Sequence, residues 1–111
     1  MTRRPLAVRA SAGQMEVHAP LVHRCPFRDE VDAGGVAIVW EVETHTFELH
    51  SLRAYLDGWR DVSISHEDLT ETIRGALADY PGLTVRSVTT AWDTAGMEIQ
   101  CSTLPTPPDP R

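Results

Sequence analysis

The sequence predicts an α+β domain whose elements run strand, strand, helix, helix, strand, strand (ββααββ). Two switches of hydrophobic period mark that order. Apolar residues alternate one by one from Met15 to Leu21, recur every three to four residues between Leu52 and Tyr80, and return to strand-like runs after Pro81-Gly82. At 111 residues the chain is expected to form one domain. A domain of that size buries only about two thirds of the surface its unfolded chain exposes, so oligomerisation would help it.

Residues 1–13, rich in Arg, Ala, Ser and Gly, read as a flexible N-terminal arm ahead of a domain spanning residues 14–104. Met15, Val17, Ala19 and Leu21 alternate with Glu16, His18 and Pro20, and the proline predicts an edge or bulged strand. A loop from Cys25 to Asp32 follows. Val36 to Val42, rich in β-branched residues, then reads as a more buried strand, so the two strands form a hairpin that brackets the cysteine loop.

Leu52, Tyr55, Leu56 and Trp59 fall at i, i+3, i+4 and i+7, one face of a helix that Gly58 weakens in its last turn. Ser65 is placed as the N-cap of the next helix, with Glu67 and Asp68 in its first turn where the helix dipole favours acids. Leu69, Ile73, Leu77 and Tyr80 continue its apolar face, and Pro81-Gly82 ends it. Leu83 to Thr90 and Gly96 to Thr103 read as two strands joined by a turn near Asp93-Thr94. Residues 105–111 form a Pro-rich tail, since proline cannot donate to a strand ladder.

Sixteen acidic against 10 basic residues leave a net charge of −6. The chain therefore lacks the basic excess of a protein that grips nucleic acid by its phosphates, and a small-molecule ligand is expected. Cys25 and Cys101 have no CxxC spacing, which predicts neither a zinc knuckle nor a disulfide framework and makes a reduced, cytoplasmic protein the expectation. No stretch approaches the roughly 20 apolar residues of a membrane span, and Met1 to Pro5 leads into no signal core.

Three short blocks carry the chemistry. They are Cys25-Pro26 with Asp32 seven residues after the cysteine, Glu48-Leu49-His50-Ser51-Leu52-Arg53-Ala54-Tyr55, and Ser65-His66-Glu67-Asp68. Each has an ordinary reading alone: a small buried thiol, a turn acid before Gly34-Gly35, acids at helix starts. In this order and spacing they resemble the queuosine-pathway nitrile reductases (QueF family), which reduce 7-cyano-7-deazaguanine to the aminomethyl base. The resemblance covers roughly residues 16–80. It implies the tunnelling fold, a four-stranded antiparallel sheet with two helices on one face, assembled as a homo-oligomer with active sites between subunits.

The resemblance also implies roles. Cys25 attacks the nitrile carbon to form a thioimide, Asp32 supplies the proton, and His66 stands beside the substrate. Glu67 and Glu48 bind the deazaguanine base, a carboxylate offering two acceptors in one plane to a guanine-like edge. His50, Ser51 and Arg53 stand where the family binds NADPH. Here the chain departs from the family pattern: His50 replaces a lysine, Ser65 a phenylalanine, and Thr94-Ala95-Gly96 an Arg-Gly-Gly. An amidinotransferase branch of the family keeps the thioimide step, dispenses with NADPH and forms an amidine on nucleic acid, and it stands as the alternative. A non-catalytic purine- or pterin-binding ring is a further one. A metal set of His23, Cys25, His66 and Cys101 fits no standard ligand spacing, so no metal is expected, and Trp40, Trp59, Trp92, His18 and His45 read as packing or surface residues.

Overall fold

In the computed structural model, which describes residues 3–103, the elements are β1 (Ala7–Arg9), β2 (Gly13–Arg24), β3 (Val31–Val42), β4 (His45–Phe47), α1 (Leu49–Asp57), α2 (His66–Leu77), β5 (Leu83–Thr94) and β6 (Met97–Ser102). The molecule is α+β with antiparallel sheets and two helices. Its order is ββββααββ rather than the expected ββααββ, because two three-residue strands, β1 and β4, pair into a small separate sheet. Part of the segment expected as a loose arm is thus held in place: Ala7–Arg9 aligns with His45–Phe47, and the Tyr80 hydroxyl donates to the Pro5 carbonyl at 2.6 Å. Strands this short carry too few residues to show a period. The tail expected over residues 105–111 lies outside the described residues.

The main sheet has the order β2-β3-β5-β6, antiparallel throughout. The β2–β3 hairpin brackets the cysteine loop as expected, but β3 begins at Val31 rather than Val36, so Asp32 lies on the strand, and Pro20 lies on the edge strand, where its missing N–H breaks no ladder. Val36, Ile38, Trp40 and Val42 of β3 all point to one face and are buried. On β5 the buried residues are Leu83, Val88, Thr90 and Trp92, a series that breaks strict alternation. A bulge explains the break: Val39 aligns with Ser87 but Trp40 with Val85, so Arg86 is the extra residue. Arg86 is turned outward and donates to Glu41 at 2.7 Å, while Leu83 and Val88 both face the core.

Helix α1 buries Leu52, Tyr55 and Leu56, with Trp59 just beyond it, as its spacing predicted. Helix α2 buries Leu69, Ile73 and Leu77. It ends at Leu77 rather than running to Tyr80, because the chain turns out at Ala78 and frees Tyr80 to reach Pro5 and to stack edge-on against Phe47. The β5–β6 turn likewise falls later than expected, on Ala95 and Gly96, both at positive φ (54° and 76°). Glycine takes that conformation without strain and alanine does so rarely. Among the described residues no helix is long and apolar enough to cross a membrane.

Candidate active site

The hairpin register brings the first block together. His23 and Asp32 are direct partners across β2 and β3, followed by Arg24 and Val31, so Cys25 is the residue at which the chain leaves β2. The loop that follows is held shut: the Cys25 N–H donates to the Glu30 carbonyl at 2.8 Å and the Asp29 N–H to the Cys25 carbonyl at 3.0 Å. Asp29 closes it at φ 52°, a left-handed conformation that Asp tolerates better than most residues. Phe27 in the loop is almost fully exposed.

A second set of backbone bonds ties this loop to α2. The Arg24 N–H donates to Val62 at 2.9 Å, and the Ile64 N–H donates to the Arg24 carbonyl at 3.1 Å. Cys25 and the N-cap Ser65 therefore each follow directly on a residue of this junction. Ser65 Oγ accepts from the Asp68 N–H at 3.2 Å and starts the helix at His66. Two blocks separated by 34 residues meet as a result: His66 Nε2 lies 3.2 Å from Asp32 Oδ2. With Asp32 Oδ2 as the acceptor, the His66 ring donates through Nε2.

Two residues that sequence reasoning set aside complete the cluster. His23 is fully buried, with Nε2 3.9 Å from the same Asp32 oxygen, and neither of its ring nitrogens makes a hydrogen bond. Burial, and then the neighbouring His66, hold its pKa below the ordinary histidine value against the opposite pull of Asp32. The backbone of Ile64 and Arg24 lies near enough to favour protonation without completing a hydrogen bond. Trp92, read from sequence as packing, stacks flat on His66, with centroids 4.5 Å apart and planes 1° apart, and meets His23 edge-on at 4.7 Å. Gly34, its partner on β3, leaves the space this indole needs, since a Cβ there would meet Trp92 Cε3 at 2.5 Å.

The ring arrangement is fixed by a chain of hydroxyls. Trp92 Nε1 donates to Thr90 Oγ1 at 2.9 Å, Thr90 and Thr70 hydroxyls lie 2.7 Å apart, and Thr70 donates to the His66 carbonyl at 2.7 Å. Thr70 spends its one proton on His66, so Thr90 donates to Thr70 and accepts from Trp92. No member is left unsatisfied.

The remaining expected site residues do not join this cluster. Glu67, next to His66 but exposed, lines a groove with Thr70, Ile99, Gln100 and Cys101 along β6. Burial, and then the Glu67 charge, push the Cys101 thiol up in pKa, while Thr90 and Thr70 act the other way. Glu48 is the N-cap of α1, its carboxylate accepting from the His50 and Ser51 N–H groups at 2.8 and 3.0 Å. These bonds, the one from His50 first, hold its pKa below the usual carboxylate range. Ser51 Oγ donates to the Glu48 carbonyl and accepts from the Leu6 N–H. His50 is fully exposed beside Glu48, and Arg53 pairs with Asp57 at 3.0 Å. Among the described residues no hydrogen bond or ion pair links these α1 groups to Asp32 or His66.

No family model matches the chain. Curated relatives do. A protein of Prochlorococcus marinus strain MIT 9301 named NADPH-dependent 7-cyano-7-deazaguanine reductase is 32% identical over 56 residues, 50% of this chain and 41% of the relative. The protein of the same name from strain MIT 9215 is 34% identical over 50 residues, 45% of this chain and 37% of the relative. The match thus spans about two fifths of the length of these relatives. Among solved structures, the archaeosine synthase QueF-Like in its apo form superposes with a TM-score of 0.67 at 17% identity, covering 85% of this chain and 94% of that one. That likeness shows a shared fold. The resemblance read from the three sequence blocks is borne out by the names of these relatives.

Proposed function

We propose that the chain is a 7-deazaguanine enzyme of the nitrile-reductase family, which captures 7-cyano-7-deazaguanine on Cys25 and reduces it with NADPH. One observation supports this above the others. Asp32 and His66, which come from two blocks of the family pattern, form a hydrogen-bonded pair, and the backbone junction at Arg24 holds the cysteine loop against the same helix start. In the first step Cys25 Sγ bonds to the nitrile carbon, one C–N π bond breaks, and the thiol proton reaches the nitrogen through the Asp32–His66 pair. Trp92 and the Thr90–Thr70 chain keep the His66 ring in one plane for that transfer.

The cofactor side rests on α1. Arg53 suits a cofactor phosphate because its pair with Asp57 is exposed, and such pairs contribute only about 0–1 kcal/mol, so a phosphate can take the place of Asp57. Two equivalents of NADPH, bound in turn, would supply one hydride each. With two further protons, and with cleavage of the carbon–sulfur bond between the two reductions, these give the aminomethyl base. On this reading Glu67 and Glu48 bind the base, and the chain assembles as a homo-oligomeric ring in the tunnelling fold. Glu48 then comes from an adjoining subunit, in keeping with its carboxylate bonding only to His50 and Ser51 among the described residues of one chain.

The fold neighbour and the cofactor-side departures favour a second reading, an amidinotransferase in which ammonia attacks the thioimide carbon and the thiol leaves. Incubating the protein with the nitrile base, with and without NADPH, and weighing protein and product by mass spectrometry tests both. An adduct of the full base mass is expected, absent in Cys25→Ala. Consumption of NADPH with formation of the amine supports reduction. Adduct formation without NADPH turnover, followed by amidine release when ammonia is supplied, supports the second reading. An adduct that persists in Cys25→Ala, or maps to Cys101, overturns both.

A further inference from the structure

The geometry points to a binding site for a first-row divalent transition-metal ion, formed by His23 Nε2, Asp32 Oδ2 and His66 Nε2. One ligand atom from each of the three residues lies within 4.8 Å of the other two. The separations measured to Asp32 Oδ2 are 3.2 Å from His66 and 3.9 Å from His23. Zinc held at 2.0–2.1 Å in a tetrahedron places its ligands about 3.4 Å apart, so the Asp32–His66 separation already suits it and His23 must draw closer to close the set. Two imidazoles and one carboxylate with an open fourth position are a donor set that zinc and ferrous iron both accept.

A second observation points to a ligand here. His23 is fully buried, both of its ring nitrogens lack a partner, and the nearest carboxylate is the one His66 already engages. An apolar residue would fill the same space without leaving two polar atoms unsatisfied. The rings are also held in fixed planes. Trp92 fixes the plane of His66 by stacking and that of His23 by its edge contact, and the two imidazoles stand at 72° to each other. The metal set considered from sequence shares only His23 and His66 with this one. Asp32 replaces the two cysteines.

The site has a consequence that rests on the proposed nitrile chemistry. An ion bound to Asp32 Oδ2 and His66 Nε2 removes the pair that delivers the proton, so the metal-loaded protein is expected to be blocked in adduct formation and restored by chelation. Binding itself is tested without any substrate. Protein treated with EDTA and desalted is titrated with zinc in competition with a chromophoric chelator, and separately with cobalt while the visible spectrum is followed. One equivalent per chain is expected, with a visible cobalt band.

His23→Gln should weaken zinc by more than about 100-fold, beyond the 10–100-fold loss typical of residues that only support a ligand. Cys25→Ala should leave the affinity unchanged. If His23→Gln does not fold, Asp32→Asn, at a partly exposed position, takes its place with the same expectation. The inference is overturned if no stoichiometric binding occurs. It is equally overturned if affinity survives in His23→Gln and is lost instead in His18→Ala or His50→Ala, which carry surface His–Glu pairs at 2.6 and 3.2 Å. A protein that binds zinc through His23 yet never forms the nitrile adduct sinks the proposed function and leaves the metal site standing.

Discussion

Gly34→Ala is the substitution that most directly tests how the sheet builds the site. Gly34 faces Trp92 across β3 and β5, and a methyl group there would run into the Ala91 carbonyl oxygen while lying 2.5 and 3.0 Å from Trp92 Cε3 and Cδ2. The carbonyl belongs to the β5 backbone and cannot rotate away, so the strands must part locally or the indole must leave. Overpacking of this kind costs about 1–3 kcal/mol. Displacing the indole also breaks its bond to Thr90, for a further 0.5–1.5 kcal/mol or so. A loss of about 2–4 kcal/mol is a large share of the roughly 5–15 kcal/mol that holds a domain together.

At about 4 °C or more per kcal/mol for a domain near this size, the thermal midpoint should fall by at least about 8 °C. Urea unfolding gives the free energy, and near-ultraviolet circular dichroism reports the Trp92 environment, which should change with loss of the His66 stack. Gly75→Ala is the matched control. Gly75 lies inside α2, and a Cβ there would meet nothing within 4 Å beyond the backbone of its own helix, so alanine there should stabilise by about 0.5–1 kcal/mol. If Gly34→Ala unfolds within about 0.5 kcal/mol of the wild type and keeps its aromatic spectrum, the packing argument for Trp92 is wrong.

Thr90→Val keeps the shape of the side chain but strands the Trp92 N–H and removes the bond that the Thr70 oxygen accepts, so a loss of about 1–3 kcal/mol is expected in urea unfolding, and an unchanged midpoint would remove the hydroxyl chain from the account. Glu67→Gln removes the charge that helps raise the Cys101 pKa, so iodoacetamide should alkylate Cys101 faster at pH 8 than in the wild type. On the proposed function the same variant weakens the nitrile base by at least about tenfold, since a hydrogen bond to a charged group contributes about 1.5–3 kcal/mol. Glu48 has a folded pKa below its unfolded one, so the stability it confers is present above the ordinary glutamate value of about 4.3 and is lost as pH falls through the lower folded value. The stability difference between the wild type and Glu48→Gln, followed by urea unfolding from pH 7 to 3, should shrink over that acid range; a difference independent of pH would refute the cap.

Much of the fold was legible because it follows from backbone geometry acting over a few residues. The buried strand read over Val36 to Val42, the apolar face of Leu52, Tyr55, Leu56 and Trp59, and the Ser65 cap all appear where the sequence placed them. What was missed depended on distant partners. The β1–β4 pair joins segments nearly forty residues apart, and the bulge at Arg86 exists because Leu83 and Val88 must both meet one core while their spacing is odd. Tyr80 leaves the helix for Pro5 and Phe47, contacts that no local pattern encodes.

The site divides in the same way. The sequence by itself determined which reactive side chains the chain offers: a thiol and a carboxyl seven residues apart, a histidine at a capped helix start, and an order of blocks that resembles a family pattern. Only the tertiary structure decided which of these groups touch. Asp32 meets His66 because the hairpin register sets one and the Arg24–Ser63 junction sets the other. His23 and Trp92 pack against this pair, and Glu48, His50, Ser51 and Arg53 make their hydrogen bonds and ion pairs with other partners, for the same reason. Spacing along a chain fixes which face of its own element a side chain occupies, whereas convergence of side chains from four elements is fixed by register, bulges and packing between them.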